Sequence, residues 1–219
     1  MELKGTKINF LGDSITEGVG ISAPDKHFFD KLKAECGIDT VRNYGVSGTR
    51  IAKQKGKSGT PSWDLDFCMR AEKMDDDADI VVIFGGTNDF GHGDAPLGRM
   101  SDRDPYTFYG ALHTLFILLM EKYPKATLVF MTPLHRCNED NLRGDGYKAC
   151  DVADLKTYVD IIKQVTEYYS IPTLDLFAVS GIQPKVESNR VRYCPDGLHP
   201  NDDGHQLIAS RLKGFLLSL

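Results

Sequence analysis

Four short polar segments carry the residue types that acyl transfer needs: Gly12-Asp13-Ser14, Gly45-Val46-Ser47-Gly48, Gly85-Gly86-Thr87-Asn88-Asp89 and Asp196-Gly197-Leu198-His199. Such chemistry requires a nucleophile, a base to take its proton, a carboxylate to orient that base, and donors aimed at the developing oxyanion. Ser14 offers the hydroxyl, and His199 an imidazole to deprotonate it. Asp196, three residues before His199, can hold the ring in one tautomer. Asn88 has an amide donor, and Gly48 can bring a backbone N–H close because it lacks a side chain. Each part alone has a plainer reading. Ser14 with Glu17 is a capping box, Asn88-Asp89 a turn, and Asn201 after His199-Pro200 the cap of a last helix. Chance must place all four together for the plain readings to hold.

The elements decide whether they meet. Short β-rich apolar runs fall at 7–11, 40–46, 79–85, 127–132 and 173–177, and segments of helical period lie between them. Ile80-Val81-Val82-Ile83-Phe84 is continuously apolar, as a central parallel strand covered on both faces must be. Phe108, Leu112, Leu115 and Leu119 recur at i, i+4, i+7 and i+11, and Leu155, Val159, Ile162, Thr166 and Tyr169 recur similarly. Leu207, Ile208, Leu212, Phe215 and Leu216 form a closing amphipathic helix. Strand–helix alternation predicts a doubly wound parallel α/β sheet of five strands, with sites outside the carboxyl ends of its strands. All four polar segments are expected there. Residues 1–219 read as one domain, without repeat or linker.

Composition narrows the partners. With 26 Lys and Arg against 31 Asp and Glu, the net charge is −5, which gives no reason to expect nucleic acid or an anionic membrane. Met1–Gly12 lacks the apolar core of a signal peptide, and no run reaches bilayer-spanning length, so a cytoplasmic setting is expected. Five scattered cysteines without C-x-x-C suit free thiols, with a Cys137–Cys150 bridge as the lesser alternative. Lys53–Gly59 and Asp75–Asp77 read as solvated loops. Neither the G-x-S-x-G elbow nor a phosphate-binding loop is present.

The four segments together make the chain resemble the GDSL, or SGNH-hydrolase, family of esterases and lipases. The matching blocks are Gly12-Asp13-Ser14-Ile15-Thr16, Asn43-Tyr44-Gly45-Val46-Ser47-Gly48, Gly86-Thr87-Asn88-Asp89 and Asp196-Gly197-Leu198-His199-Pro200, in the family's order. Ile15 stands where many members have Leu. The resemblance implies a flavodoxin-like three-layer α/β/α domain. By position it makes Ser14 the nucleophile and completes the triad with Asp196 and His199. The oxyanion hole is then the Ser14 N–H, the Asn88 side chain and the Gly48 N–H, with Gly45 as the alternative glycine. No cofactor or metal is implied. Asp13 and Asp89 belong to the motif, and their own chemistry suggests caps and loop fixing.

The substrate is expected to be a small-molecule ester. The segments after the third and fourth strands, 90–105 and 133–153, carry Arg99, Arg103, Arg143, His92, His135 and Arg136 but few large apolar residues. That suits a polar alcohol such as a sugar and a small acyl group, with His92, His135 and Arg136 as candidate substrate contacts. A lysophospholipase or thioesterase is the alternative within the family. A metal-dependent phosphoesterase using Asp13, Asp89, Asp196 and His199, or a non-catalytic flavodoxin-like binding module, are alternatives outside it.

Overall fold

Five strands lie side by side in the order β2-β1-β3-β4-β5, every neighbouring pair parallel, in a computed structural model describing residues 1–219. They are β1 (Lys7–Gly12), β2 (Thr40–Gly45), β3 (Ile80–Phe84), β4 (Thr127–Met131) and β5 (Thr173–Leu174). The connections are helical: α1 (Ser14–Glu17), α2 (Phe28–Cys36), α3 (Phe67–Ala71), α4 (Thr87–His92), α5 (Phe108–Lys122), α6 (Leu155–Tyr168), α7 (Leu176–Val179), α8 (Glu187–Tyr193) and α9 (Asp202–Ser218).

Alternation along the strands builds two cores. Leu11, Val81, Ile83 and Phe130 face α3, α5 and α6, where they meet Phe67, Leu112, Leu115, Phe116, Tyr158 and Ile162. Ile8, Phe10, Ile80, Val82, Phe84, Val129 and Met131 face α2 and α9, against Phe28, Leu32, Ile208, Leu212 and Leu216. The strands are covered on both sides, which is why β3 reads as an unbroken apolar run. This is the expected α/β/α layering.

The register places the site. Gly12 pairs with Gly45 on one side and Phe84 on the other, so β1, β2 and β3 end level. The chain leaves β1 toward β2 on one side and later toward β3 on the other. Such a reversal opens a crevice beyond the carboxyl ends of the strands. One expected strand is shorter than its sequence suggests. The run at 173–177 pairs only at Thr173 and Leu174, because the Asp175 carboxylate caps α7 through the Ala178 N–H and faces Lys163 at 2.6 Å. No helix is long and apolar enough to cross a membrane, and all five cysteines are unpaired.

Candidate active site

Ser14 stands two residues beyond β1, as the first residue of a single helical turn. The cap of that turn is Asp13, whose carboxylate accepts the Ile15 N–H at 3.1 Å, so the Ser14 hydroxyl is free for other work. Glu17 does not reach back as a capping-box partner. Its carboxylate accepts the Ser47 N–H at 2.8 Å and the Ser47 hydroxyl, which ties α1 to the loop after β2.

His199 approaches from the loop before α9. The Ser14 hydroxyl lies 3.0 Å from His199 Nε2, and His199 Nδ1 lies 2.7 Å from Asp196 Oδ2. A carboxylate accepts only, so Nδ1 carries the ring proton and Nε2 is left as the acceptor facing Ser14. The other Asp196 oxygen accepts the N–H groups of Leu198 (2.8 Å) and His199 (2.7 Å). Burial works to raise the Asp196 pKa, but those donors and the imidazole outweigh it and hold the carboxyl below its usual range. The turn needs its glycine: Gly197 has φ +81°, and a Cβ there would meet Cys137 Sγ at 2.4 Å.

The donors face the same space. Gly48 has φ +74°, and a Cβ on it would sit 2.0 Å from Trp63 Nε1. Its N–H donates to no backbone carbonyl. Gly45, the alternative glycine, already spends its N–H on the Asn43 side chain at 2.8 Å. Asn88, in the first turn of α4, gives one amide hydrogen to the Thr49 carbonyl at 3.0 Å, which fixes the amide plane and leaves the second hydrogen. Asp89 holds the same loop, accepting from the N–H groups of Ile51 (2.9 Å) and Ala52 (2.8 Å). Burial pushes both Asp13 and Asp89 up to about 6. Both carboxylates act as backbone anchors, and no group of three or more His, Cys, Asp or Glu side chains is placed to hold a metal ion.

A cleft of about 340 Å³ collects Ser14, Ser47, Gly48, Asn88, Leu198 and His199, with Val19, Trp63, His92, Asp145 and Tyr147 as further walls. Of the three residues expected to touch substrate, His92 is there. It stacks on Trp63 with ring centroids 4.3 Å apart, and its Nε2 donates to the Gly48 carbonyl at 3.0 Å. His135 and Arg136 are not. His135 packs on Phe177 and faces Glu139 at 2.7 Å, while the buried Arg136 guanidinium is spent on Thr87, Asn138 and Asp145. Both expectations are corrected: these side chains turn into the scaffold because buried acceptors await them there. Arg136 still acts at one remove, since Asp145 lines the cleft and lies 3.7 Å from His92 Nδ1.

Sequence reasoning missed Trp63, Tyr147 and Arg70. The single tryptophan was a visible signal. Arg70 is buried, which lowers its pKa to about 10, and it donates to the Leu65 and Tyr44 carbonyls and to Thr49 Oγ1. It thereby pins the residue that in turn holds Asn88.

Known proteins resemble this chain in family and in fold. The GDSL-like Lipase/Acylhydrolase family model matches residues 10–207. A solved structure from Lactobacillus plantarum is 30% identical, with 98% of both chains covered and a TM-score of 0.83. A carbohydrate acetylesterase family member from Sinorhizobium meliloti is similar in fold at 15% identity, covering 97% of this chain and 98% of that one, TM-score 0.66. A member of the lipolytic protein G-D-S-L family from Veillonella parvula is similar at 18% identity, with 97% and 99% covered and a TM-score of 0.60. No curated protein matches. Because the family match runs from β1 into α9, and so takes in every segment that meets in the cleft, the chain belongs to the GDSL-like lipase/acylhydrolase family of hydrolases.

Proposed function

We propose that this hydrolase is a serine esterase that removes short acyl groups, acetyl above all, from a polar alcohol such as a sugar. The observation that carries the reading is the unbroken relay from Asp196 through His199 to Ser14, at 2.7 and 3.0 Å, opening onto the two donors Gly48 and Asn88. Ser14 Oγ attacks the ester carbonyl carbon while His199 Nε2 takes the hydroxyl proton. Asp196 stabilises the imidazolium. The carbonyl oxygen becomes an oxyanion facing the N–H groups of Ser14 and Gly48 and the Asn88 amide. Collapse expels the alcohol, protonated by His199, and leaves Ser14 acylated. Water, deprotonated by His199, then releases the acid and restores the hydroxyl. Water is the only co-reactant.

The small-acyl part rests on the walls. The cleft is modest, and Trp63 over Gly48 closes one side. A cytoplasmic setting and a single catalytic domain belong to the same reading. One observation favours the long-chain reading instead. A groove of about 760 Å³ between Gly93–Leu97 and Tyr147–Val152 shares Tyr147 with the cleft and is lined by Ala95, Pro96, Leu97 and Val152. A p-nitrophenyl ester series separates the two. Each methylene entering an apolar groove gains about 0.8 kcal/mol, so a long-chain enzyme shows kcat/KM climbing several-fold per methylene. The expected result is a peak at acetate or propionate and a fall by octanoate. A monotonic rise through decanoate overturns the short-acyl reading and promotes a lysophospholipase or thioesterase.

A further inference from the structure

On the far side of Trp63 from the catalytic cleft lies a second cavity, also of about 340 Å³, walled by Arg50, Lys53, Lys55 and Lys57 together with Trp63 and Tyr106. Lys53, Lys55 and Lys57 all line the cavity, and the side chains of Lys55 and Lys57 are exposed to solvent. The start of this segment is anchored. The Lys53 N–H donates to the Pro105 carbonyl at 2.8 Å. The Gln54 amide accepts from Asp94 (2.6 Å) and Ala95 (3.2 Å) and donates to Ala52.

Two carboxylates, Asp64 and Asp66, also line the cavity, and both are hydrogen-bonded to the backbone. Asp64 accepts the Ser58 N–H and lies 3.4 Å from Arg50, and Asp66 caps α3 through the Met69 N–H at 2.9 Å. Arg50 is buried, donates to the Trp63 carbonyl at 2.9 Å, and has a buried Nε with no partner. Lys53 sits 5.4 Å over the Tyr106 ring, and none of the three lysines belongs to an ion pair. In a chain of net charge −5, four cations against two carboxylates make this a local excess of positive charge.

We propose that this cavity is a subsite for an anionic substituent, carboxylate or phosphate, on the alcohol portion of the ester cleaved at Ser14. The inference deepens the esterase reading and rests on it for the reaction, though not for the binding. The alcohol leaves the cleft past the edge of Trp63, and the lysines take its charge. Exposed ion pairs are individually weak and screened by salt, so the subsite acts through several cations at once and most strongly at low ionic strength.

The test compares acetylated glucuronate, acetylated glucose and p-nitrophenyl acetate in the full chain and in K55Q/K57Q. The subsite predicts kcat/KM about tenfold higher (1.4 kcal/mol) for the glucuronate than the glucose ester at low salt, carried by KM. That preference disappears at about 0.5 M salt and in K55Q/K57Q, while the neutral p-nitrophenyl ester is indifferent to both. Equal rates for the two sugars, or a preference that survives the variant, overturns the proposal and leaves the esterase reading standing. In parallel, calorimetry on Ser14→Ala with glucuronate, glucose 6-phosphate and glucose reads the subsite without chemistry and tells carboxylate from phosphate. Anion binding lost in K55Q/K57Q supports the proposal even if no ester is hydrolysed. Binding no tighter than glucose refutes it.

Discussion

Asn88 and Gly48 are the residues whose roles are most sharply exposed to test. Loss of one oxyanion donor costs roughly 10²–10³ in kcat, about 2.7–4 kcal/mol. Asn88→Ala is therefore expected to lower kcat by that much with KM little changed. Steady-state kinetics on an acetyl ester checks it, and a loss confined to KM contradicts the role. Gly48→Ala should hurt twice. Its φ of +74° strains any other residue, and the new Cβ would press on the Trp63 indole at 2.0 Å. The expected outcome is a fall in kcat with about 1–3 kcal/mol of stability lost, read from urea unfolding. Sequence made Ser14, Asn88, Asp196 and His199 legible because each is placed by a strand end or a tight turn a few residues long. It could not place Trp63, which acquires meaning only by lying on Gly48 and stacking against His92 from a separate loop. His135 and Arg136 were misread for the same reason. Residue type says that a polar side chain wants a partner, not which side of its loop the partner is on.

The loop following β2 and helix α4 behave as one unit. Asp89 bonds Ile51 and Ala52, Asn88 bonds Thr49, and His92 bonds Gly48, so one helix grips the loop at four consecutive-to-near residues. Asp89→Ala strands two buried N–H donors, each worth about 1–3 kcal/mol when unsatisfied. The expected unfolding midpoint in urea falls clearly, and kcat falls with it because Gly48 loses its frame. Asp89→Asn keeps one acceptor and should lie between. A variant as stable and active as the parent would show that the loop is held without Asp89, through Arg70, Asn88 and His92. At this scale the sequence was largely readable. The strands, the long helices α5, α6 and α9, and the layering follow from apolar periodicity. What it hid was the early end of β5, where the capping carboxylate of Asp175 outweighs the β-propensity of Thr173 and its neighbours. The four-residue helix α7 was hidden too, since one turn is too short to show a period.

Across the whole molecule, acid stability should report a buried histidine that does not line the cleft. His205 in α9 is fully buried, accepts the Phe28 N–H on Nδ1 at 3.2 Å, and has no partner for Nε2. Burial first, then the neighbouring His27, lowers its pKa to about 3 from the usual 6.5. The unfolded chain therefore takes up a proton that the folded chain refuses. Its contribution is fully present above pH 6.5 and is lost progressively as pH falls toward 3. Asp13 and Asp89, raised to about 6, have the opposite sign: their cost to stability grows as pH rises from about 4 to 6. His205→Asn retains an acceptor for Phe28 and removes one titration. Thermal unfolding between pH 4 and 7 should show the variant losing less stability on acidification than the parent, whatever its stability at pH 7. An unchanged slope would contradict the assignment. If this molecule has one activated serine and it is Ser14, labelling the intact chain with a fluorophosphonate will find it. The prediction is one adduct per chain, mapped by peptide mass spectrometry to Ser14 and absent in Ser14→Ala. An adduct on Ser47 or Ser101, or labelling that persists in Ser14→Ala, would contradict it.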